Sequence, residues 1–493
     1  MLWDIDTNTE TLLPDMPGQI IRVYPASGAN AMLPLTPANN YTPTILFCGG
    51  QYLEDSQWGN YSYPFVPTWL IPASSECHRI TPEPTDGSSP DYVQDDSLPI
   101  GRSMGQFIAL PDGTFLILNG AQNGTAGYAK SILSVPEDQM PYGESLASGP
   151  LGQPAIYNPN APAGSRWSTS GLGTSSIPRM YHSSALLLPD GSVMVAGSNP
   201  NIDVNTTTVF PTTYTAEYFY PPYFSAKTRP VPQNIPTTLS YGGNYFDIVI
   251  PPTSYSGAAN DAADNTTIWL IRPGFTTHAM NMGQRILQLN YTYTVESNGT
   301  ITLHTSQVPP NPNLFQPGPA MLFVTIQGIP SNATFVTVGN GQFGTQPTNA
   351  VSVLPASVRA NSASGSAPSS SSSNSSSSSS HMGIIIGAVV AGIAAVGVLG
   401  AVFGICLARR RHSAAMADSG TTYPTPGTGF GSFAGREMRS SDSSAFMPLQ
   451  HNNQSEAALH SSYYDQYEPR ASSPFVHSSE FEPYGDYRSS TPQ

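Results

Sequence analysis

Charged side chains are scarce in this 493-residue chain, at 10% of the total, and the basic ones are scarcest: 18 Lys and Arg stand against 32 Asp and Glu, for a net charge of −14. No cluster of Lys or Arg interrupts roughly the first 350 residues. That excludes a nucleic-acid partner, because phosphate backbones are held by basic patches. Cysteine is almost as rare. There are three, and Cys406 lies in an apolar segment, which leaves Cys48 and Cys77 as a candidate disulfide pair. The first residues, Met1-Leu2-Trp3-Asp4-Ile5-Asp6-Thr7, have neither a basic nor an apolar stretch and so do not form a signal peptide. What the chain does hold in quantity is Pro (48) and Gly (44), which points to a turn-rich, all-β fold.

Long apolar runs are absent until Gly383–Ala408, which is uncharged and long enough to cross a bilayer as one helix. Arg409, Arg410 and Arg411 follow at once, so positive-inside logic puts the C-terminal side in the cytoplasm. Residues 357–382 are dominated by Ser and read as a stalk. Residues 409–493, rich in Ser, Pro, Tyr and Gly, read as a disordered tail. Asn-X-Ser/Thr sequons at Asn40, Asn60, Asn123, Asn205, Asn265, Asn290, Asn298 and Asn332 fit an oxidising, secretory-pathway exterior. The expected location is the plasma membrane, with the large N-terminal part outside. A large outer part without a leader leads to the expectation that the N-terminus given is incomplete.

Within residues 1–207 a unit recurs. Phe107-Ile-Ala-Leu-Pro-Asp-Gly-Thr-Phe-Leu-Ile-Leu-Asn-Gly120 matches Ala185-Leu-Leu-Leu-Pro-Asp-Gly-Ser-Val-Met-Val-Ala-Gly197, and a looser copy ends in Thr44-Ile-Leu-Phe-Cys-Gly-Gly50. An apolar strand, an Asp-Gly turn and a second apolar strand form a hairpin signature, and repeated hairpins suggest propeller blades. Only about three are visible, too few to close a ring. Residues 208–356 carry longer strand candidates (Tyr245–Ile250, Thr267–Ile271, Ile286–Tyr291, Met321–Ile326) separated by Pro and Gly, which reads as an immunoglobulin-like β-sandwich.

Aligning the two Leu-Pro-Asp-Gly hairpins sets Ser103-Met104 opposite Tyr181-His182, so the Tyr-His pair is not needed to build a blade. Neighbours in a regular strand face opposite ways, so joint metal binding requires irregular backbone there. His278 follows the turn Arg272-Pro-Gly-Phe-Thr-Thr at a strand end, free to project into another domain. A phenol and two imidazoles suit Cu(II), which prefers nitrogen and oxygen ligands in tetragonal geometry. On the motif alone, a buried Tyr and His satisfied by hydrogen bonds remains the other reading.

The stretch from Asp4 to about Leu354 resembles the later two-thirds of the fungal copper radical oxidases, closest to glyoxal oxidase and more distantly galactose oxidase. The motifs are Leu2-Trp-Asp-Ile-Asp, Phe47-Cys-Gly-Gly, Ser75-Glu-Cys-His-Arg, Ile177-Pro-Arg-Met-Tyr-His, Gly274-Phe-Thr-Thr-His-Ala and Pro317-Gly-Pro-Ala-Met-Leu-Phe-Val. The resemblance implies part of a seven-bladed kelch-type propeller followed by an immunoglobulin-like domain that threads a histidine to the axis. It implies Tyr181 as axial ligand and base, with His182 and His278 as equatorial copper ligands. It further implies a radical cofactor, a tyrosine joined to a cysteine by a thioether. Neither Cys48 nor Cys77 matches that cysteine, and a chain confined to these residues is expected to be inactive. The implied reaction is oxidation of small aldehydes (glyoxal, methylglyoxal) to carboxylic acids with reduction of O2 to H2O2, which would suit peroxide-consuming partner enzymes. The alternative is a non-catalytic cell-surface propeller for adhesion or wall organisation.

Overall fold

The computed structural model describes residues 1–58, 64–278 and 280–361. The expected transmembrane segment 383–408, the tail 409–493 and all but the start of the Ser-rich stalk lie outside the described residues. Among the described residues no helix is long and apolar enough to cross a membrane.

Three small antiparallel sheets follow one another along the chain. The first is a four-stranded meander of Ala29–Met32, Ile45–Cys48, Cys77–Ile80 and Tyr92–Asp95. The second runs Gln106–Ala109, Phe115–Leu118, Ala155–Tyr157 and Trp167–Ser168, with a long hairpin (Ala121–Tyr128 and Pro141–Pro150) inserted after its second strand. The third comprises Ser183–Leu187, Val193–Gly197 and Glu217–Phe219. That last strand lies beyond residue 207, so the boundary expected there cuts a blade. Its three residues are cut off by Pro221-Pro222 and lack the aliphatic run of its partners, which is why the pattern passes over it.

The repeats share backbone geometry as well as sequence. In both Asp-Gly turns the glycine is left-handed (Gly113 φ 84°, Gly191 φ 86°), and the aspartate Oδ1 accepts from the backbone N–H two residues on (Thr114 3.0 Å, Ser192 2.9 Å). Gly113 is needed for space too, since a Cβ there would stand 2.7 Å from the Trp269 ring. Just before each inner strand one residue is also left-handed: Ser27 (φ 48°), Met104 (φ 56°) and His182 (φ 64°).

The second half is a sandwich. One sheet orders Thr238–Leu239, Thr334–Val338, Gly318–Ile326, Thr266–Arg272 and Arg285–Leu289, and a second orders Phe246–Ile250, Ile301–Thr305 and Tyr291–Val295. The expected single strand Ile286–Tyr291 is therefore divided at Asn290 between two sheets. The central strands are apolar on both faces because both are covered. Ile268, Leu270, Leu322 and Val324 fill the sandwich core, whereas Trp269, Ile271, Met321 and Phe323 alternate with them and join the blade core of Phe107, Phe115 and Leu187. Residues 357–361 also differ from the expected stalk. Val358 donates to Tyr293 O (2.7 Å) and accepts from Val295 N (2.8 Å), and Arg359 pairs with Asp264 (2.6 Å), which fastens the chain to the sandwich edge.

Cys48 and Cys77 sit opposite each other on neighbouring strands and form a disulfide, with Cα atoms 4.1 Å apart. Both are fully buried, and the bond closes the Pro-rich loop between them. Replacing both with alanine should lower stability by about 2–4 kcal/mol through lost loop closure, read by denaturant titration. A midpoint that does not move, in the variant or on reduction, would show that the bond contributes nothing.

Candidate metal centre

The hairpin Phe275–Thr277 and Met280–Met282 leaves the sandwich as a finger and lies across the inner strands of the blades. Thr276 Oγ1 donates to Ala185 O (3.0 Å), Asn281 Nδ2 to Phe107 O (3.2 Å), and Gln284 Oε1 accepts from Ala109 N (2.8 Å). These polar anchors seat a short hairpin whose large apolar side chains Phe275 and Met282 are exposed, so burial does little to hold it in place. His278 is at the tip, itself left-handed at φ 52°.

There it meets the third blade. The His182 ring lies 5.3 Å from that of His278 between centroids, Tyr181 is 5.6 Å from His278, and Tyr181 stacks on His182 at 3.8 Å. The left-handed turn at His182 is the irregularity that lets consecutive side chains serve one place. Because Ser27 and Met104 share that geometry, the turn belongs to the blade, and only the side chains are particular to this site. Tyr181, His182 and His278 are therefore brought together, whereas His78 and His304 are not. His78 is buried beside Arg22 (3.4 Å), and His304 bridges Asp247 (2.7 Å) and Thr294 (3.0 Å) on the sandwich.

Hydrogen bonding fixes each imidazole by Nδ1. His182 Nδ1 is 3.2 Å from Asn199 O, and His278 Nδ1 is 2.7 Å from Thr277 Oγ1. Among the described residues neither Nε2 has a protein partner. At His182 the carbonyl on Nδ1 selects the tautomer with a free Nε2 lone pair, the arrangement of metal-bound histidines. Burial, and then repulsion from His278, hold the His182 pKa below the usual imidazole range, so its ring is neutral and able to bind a cation. Burial and a hydrogen bond with Tyr24 push the Tyr181 phenol upward. Among the described residues no three His, Cys, Asp or Glu side chains are placed to share a metal, and the further protein donor beside the two imidazoles is the Tyr181 phenol. The donors present, neutral imidazole and phenol, fit Cu(II).

Two more phenols border the site and were not singled out from sequence. Tyr24 lies 6.3 Å from Tyr181 and edge-on to His278 at 6.1 Å, and Tyr128 lies 6.1 Å from Tyr181 and 6.4 Å from His182. For Tyr24 a signal existed, since it sits three residues before Ser27, the counterpart of His182. For Tyr128, at the end of the inserted hairpin's first strand, there was none.

Comparison with known proteins agrees with this architecture. Residues 2–223 match the family described as Glyoxal oxidase N-terminus, and residues 229–338 match Galactose oxidase-like, Early set domain. The chain is 33% identical over 320 residues to Aldehyde oxidase GLOX of Vitis pseudoreticulata, covering 64% of this chain and 54% of that protein. It is 30% identical over 270 residues to a galactose oxidase of Gibberella zeae, covering 54% and 34%. A fungal alcohol oxidase solved in complex with copper aligns over 64% of this chain and 54% of its own, with 21% identity and a TM-score of 0.45. The chain spans about half the length of the curated relatives it matches. With its two domain matches in this order, the chain belongs to the glyoxal oxidase family of galactose oxidase-like proteins.

Proposed function

We propose that the protein is a copper radical oxidase of small aldehydes such as glyoxal and methylglyoxal, forming carboxylic acids and reducing O2 to H2O2. The observation that carries this reading is the meeting of Tyr181 and His182 from a blade with His278 from the sandwich finger. Copper would be held by the two Nε2 atoms and the Tyr181 oxygen, and when bound it supplies one-electron redox capacity and acidifies its ligands. His182 is kept neutral by burial and oriented by Asn199 O. Tyr181, ionised beside a cation, is a phenolate placed to take a proton from a substrate hydroxyl, such as that of an aldehyde hydrate. The finger's anchors hold the His278 ring 5.3 Å from that of His182.

Two-electron oxidation needs a second redox group, in this family reading a tyrosine cross-linked to cysteine. Both described cysteines are joined to each other, so neither is available for a thioether. We therefore expect residues 1–493 expressed alone to bind copper without releasing peroxide. The native protein isolated from its source should contain copper and release peroxide from glyoxal under air. Native protein that holds copper but yields no peroxide with any small aldehyde would leave the other reading, a non-catalytic surface propeller. The proposal extends to place: an anchor at 383–408, the described domains outside the plasma membrane, and peroxide-consuming enzymes nearby. The uncharged segment and the arginines after it support this.

A further inference from the structure

A cleft of about 340 Å³ lies between the second and third blades. Leu118 and Asn119, at the end of the second blade's second strand, line one side, and Val195, Glu217 and Phe219 of the third blade line the other. Its volume is at the small end of the ~300–1,000 Å³ typical of small-molecule sites, which suits a single ring. None of Tyr181, His182 and His278 lines it. We propose that this cleft binds a neutral sugar ring, with Asn119 Nδ2 donating to the ligand and Glu217 accepting from it. The site is separate from the metal centre and does not depend on the copper reading.

Asn119 departs from its own repeat. Gly50 N donates to Arg102 O (3.1 Å) as Gly120 N donates to Arg179 O (2.8 Å), and the two guanidinium groups donate to Asn119 O (2.5 Å) and Gly197 O (2.8 Å). Asn119 thus holds the place of Gly49 in the first blade and Gly197 in the third, and all three are left-handed (φ 73°, 61° and 72° in chain order). Glycine is enough to build a blade at this position, so the amide is an addition. It is 6% exposed, and among the described residues its Nδ2 has no hydrogen-bond partner. A buried donor left unpaired is costly, and a ligand oxygen brought to it removes that cost.

The other groups set the class of ligand. Among the described residues Arg179 is the single cation lining the cleft, and each of its nitrogens is already taken, by Glu217 Oε2, Gly197 O and Thr215 O (2.8 Å each). With no free cation and a carboxylate in the wall, an anion is disfavoured. Glu217 Oε1 accepts from Ser175 Oγ (2.8 Å) and keeps a lone pair for a ligand hydroxyl, its side chain being 31% exposed. Phe219 and the exposed Tyr220 add aromatic rings, whose negative faces attract C–H groups. An amide donor, a carboxylate acceptor and aromatic carbon together match a ring with hydroxyls on its edge and C–H groups on its faces.

The test is saturation-transfer NMR on the full chain in a sugar-free detergent. The probes are the methyl pyranosides of glucose, galactose, mannose and N-acetylglucosamine, with methyl glucuronide as the charged comparison. Transfer to the ring protons of at least one neutral glycoside is expected, with the glucuronide bound more weakly than that one. Asn119→Gly, which gives this blade the residue of its neighbours, should weaken binding roughly 10-fold, the worth of one hydrogen bond. Gly173→Phe should abolish it. Gly173 lines the cleft outside the left-handed region, and a Cβ there meets nothing within 4 Å, so a ring occupies the cleft without backbone strain. Tyr214→Phe, at an exposed residue outside the cleft, should match wild type. Absence of transfer to every neutral glycoside overturns the proposal, as does a preference for the glucuronide. Wild-type affinity in Asn119→Gly or in Gly173→Phe, with the fold intact by circular dichroism, also overturns it.

Discussion

Cu(II) binding should disappear when either histidine of the site is removed. In titration calorimetry at neutral pH, His182→Ala and His278→Ala are each expected to weaken binding at least ~100-fold, beyond the range caused by loss of a neighbouring support. The fold should survive, because both residues keep substantial solvent exposure, His182 being only partly desolvated by its neighbours, and neither belongs to a core cluster. Both positions carry a complication, since each is left-handed (φ 64° and 52°) and alanine in that conformation costs about 1–2 kcal/mol. His182→Asn and His278→Asn separate the two effects, because asparagine tolerates that conformation and lacks an imidazole. The Asn variants should therefore be as stable as wild type and as deficient in copper as the Ala variants. If His182→Ala and His278→Ala both bind copper with wild-type affinity, the histidines do not form the site.

The blades were legible because each depends on local rules. Asp112-Gly113 and Asp190-Gly191 state their turns outright, and the apolar runs on either side of each state the paired strands of a hairpin. The sandwich strands were legible as apolar runs, although their double burial came from contact with the blades, which no local pattern reveals. Of the site, Tyr181-His182 stood out by departing from its own repeat, and His278 by ending a strand in a turn. Tyr24 and Tyr128 are brought there by long-range packing. The strand Glu217–Phe219 and the pairing of Val358 were missed because single edge pairings need little apolar sequence. Arg102 and Arg179 were equally silent, yet each donates to the carbonyl at the equivalent end of its blade's second strand, Asn119 O (2.5 Å) and Gly197 O (2.8 Å). A buried guanidinium per blade satisfies carbonyls that the sheet leaves over.

The joint between the first two blades should be the most sensitive polar position in the described fold. The Asp95 carboxylate is fully buried, and it accepts from Arg166 Nη1 at 2.5 Å and Tyr157 Oη at 2.8 Å, with Arg79 Nη1 at 3.5 Å. Asp96 continues the join, accepting from Gly164 N (2.7 Å) and Arg166 N (2.9 Å) through its carboxylate and from Trp167 Nε1 (2.9 Å) through its carbonyl. Asp95→Ala leaves a guanidinium and a phenol unpaired where water cannot fully replace the carboxylate. Breaking one side of a buried pair in this way costs about 3–5 kcal/mol, more than the gain from forming it. Asp95→Asn keeps an acceptor for Tyr157 and should cost less. The contrast identifies the mechanism, because a volume effect alone would leave Asn near wild type and Ala only modestly worse. Denaturant titrations of the two variants measure it. An Asp95→Ala loss within about 0.5 kcal/mol, typical of surface positions, would mean that the carboxylate does not hold the blades together.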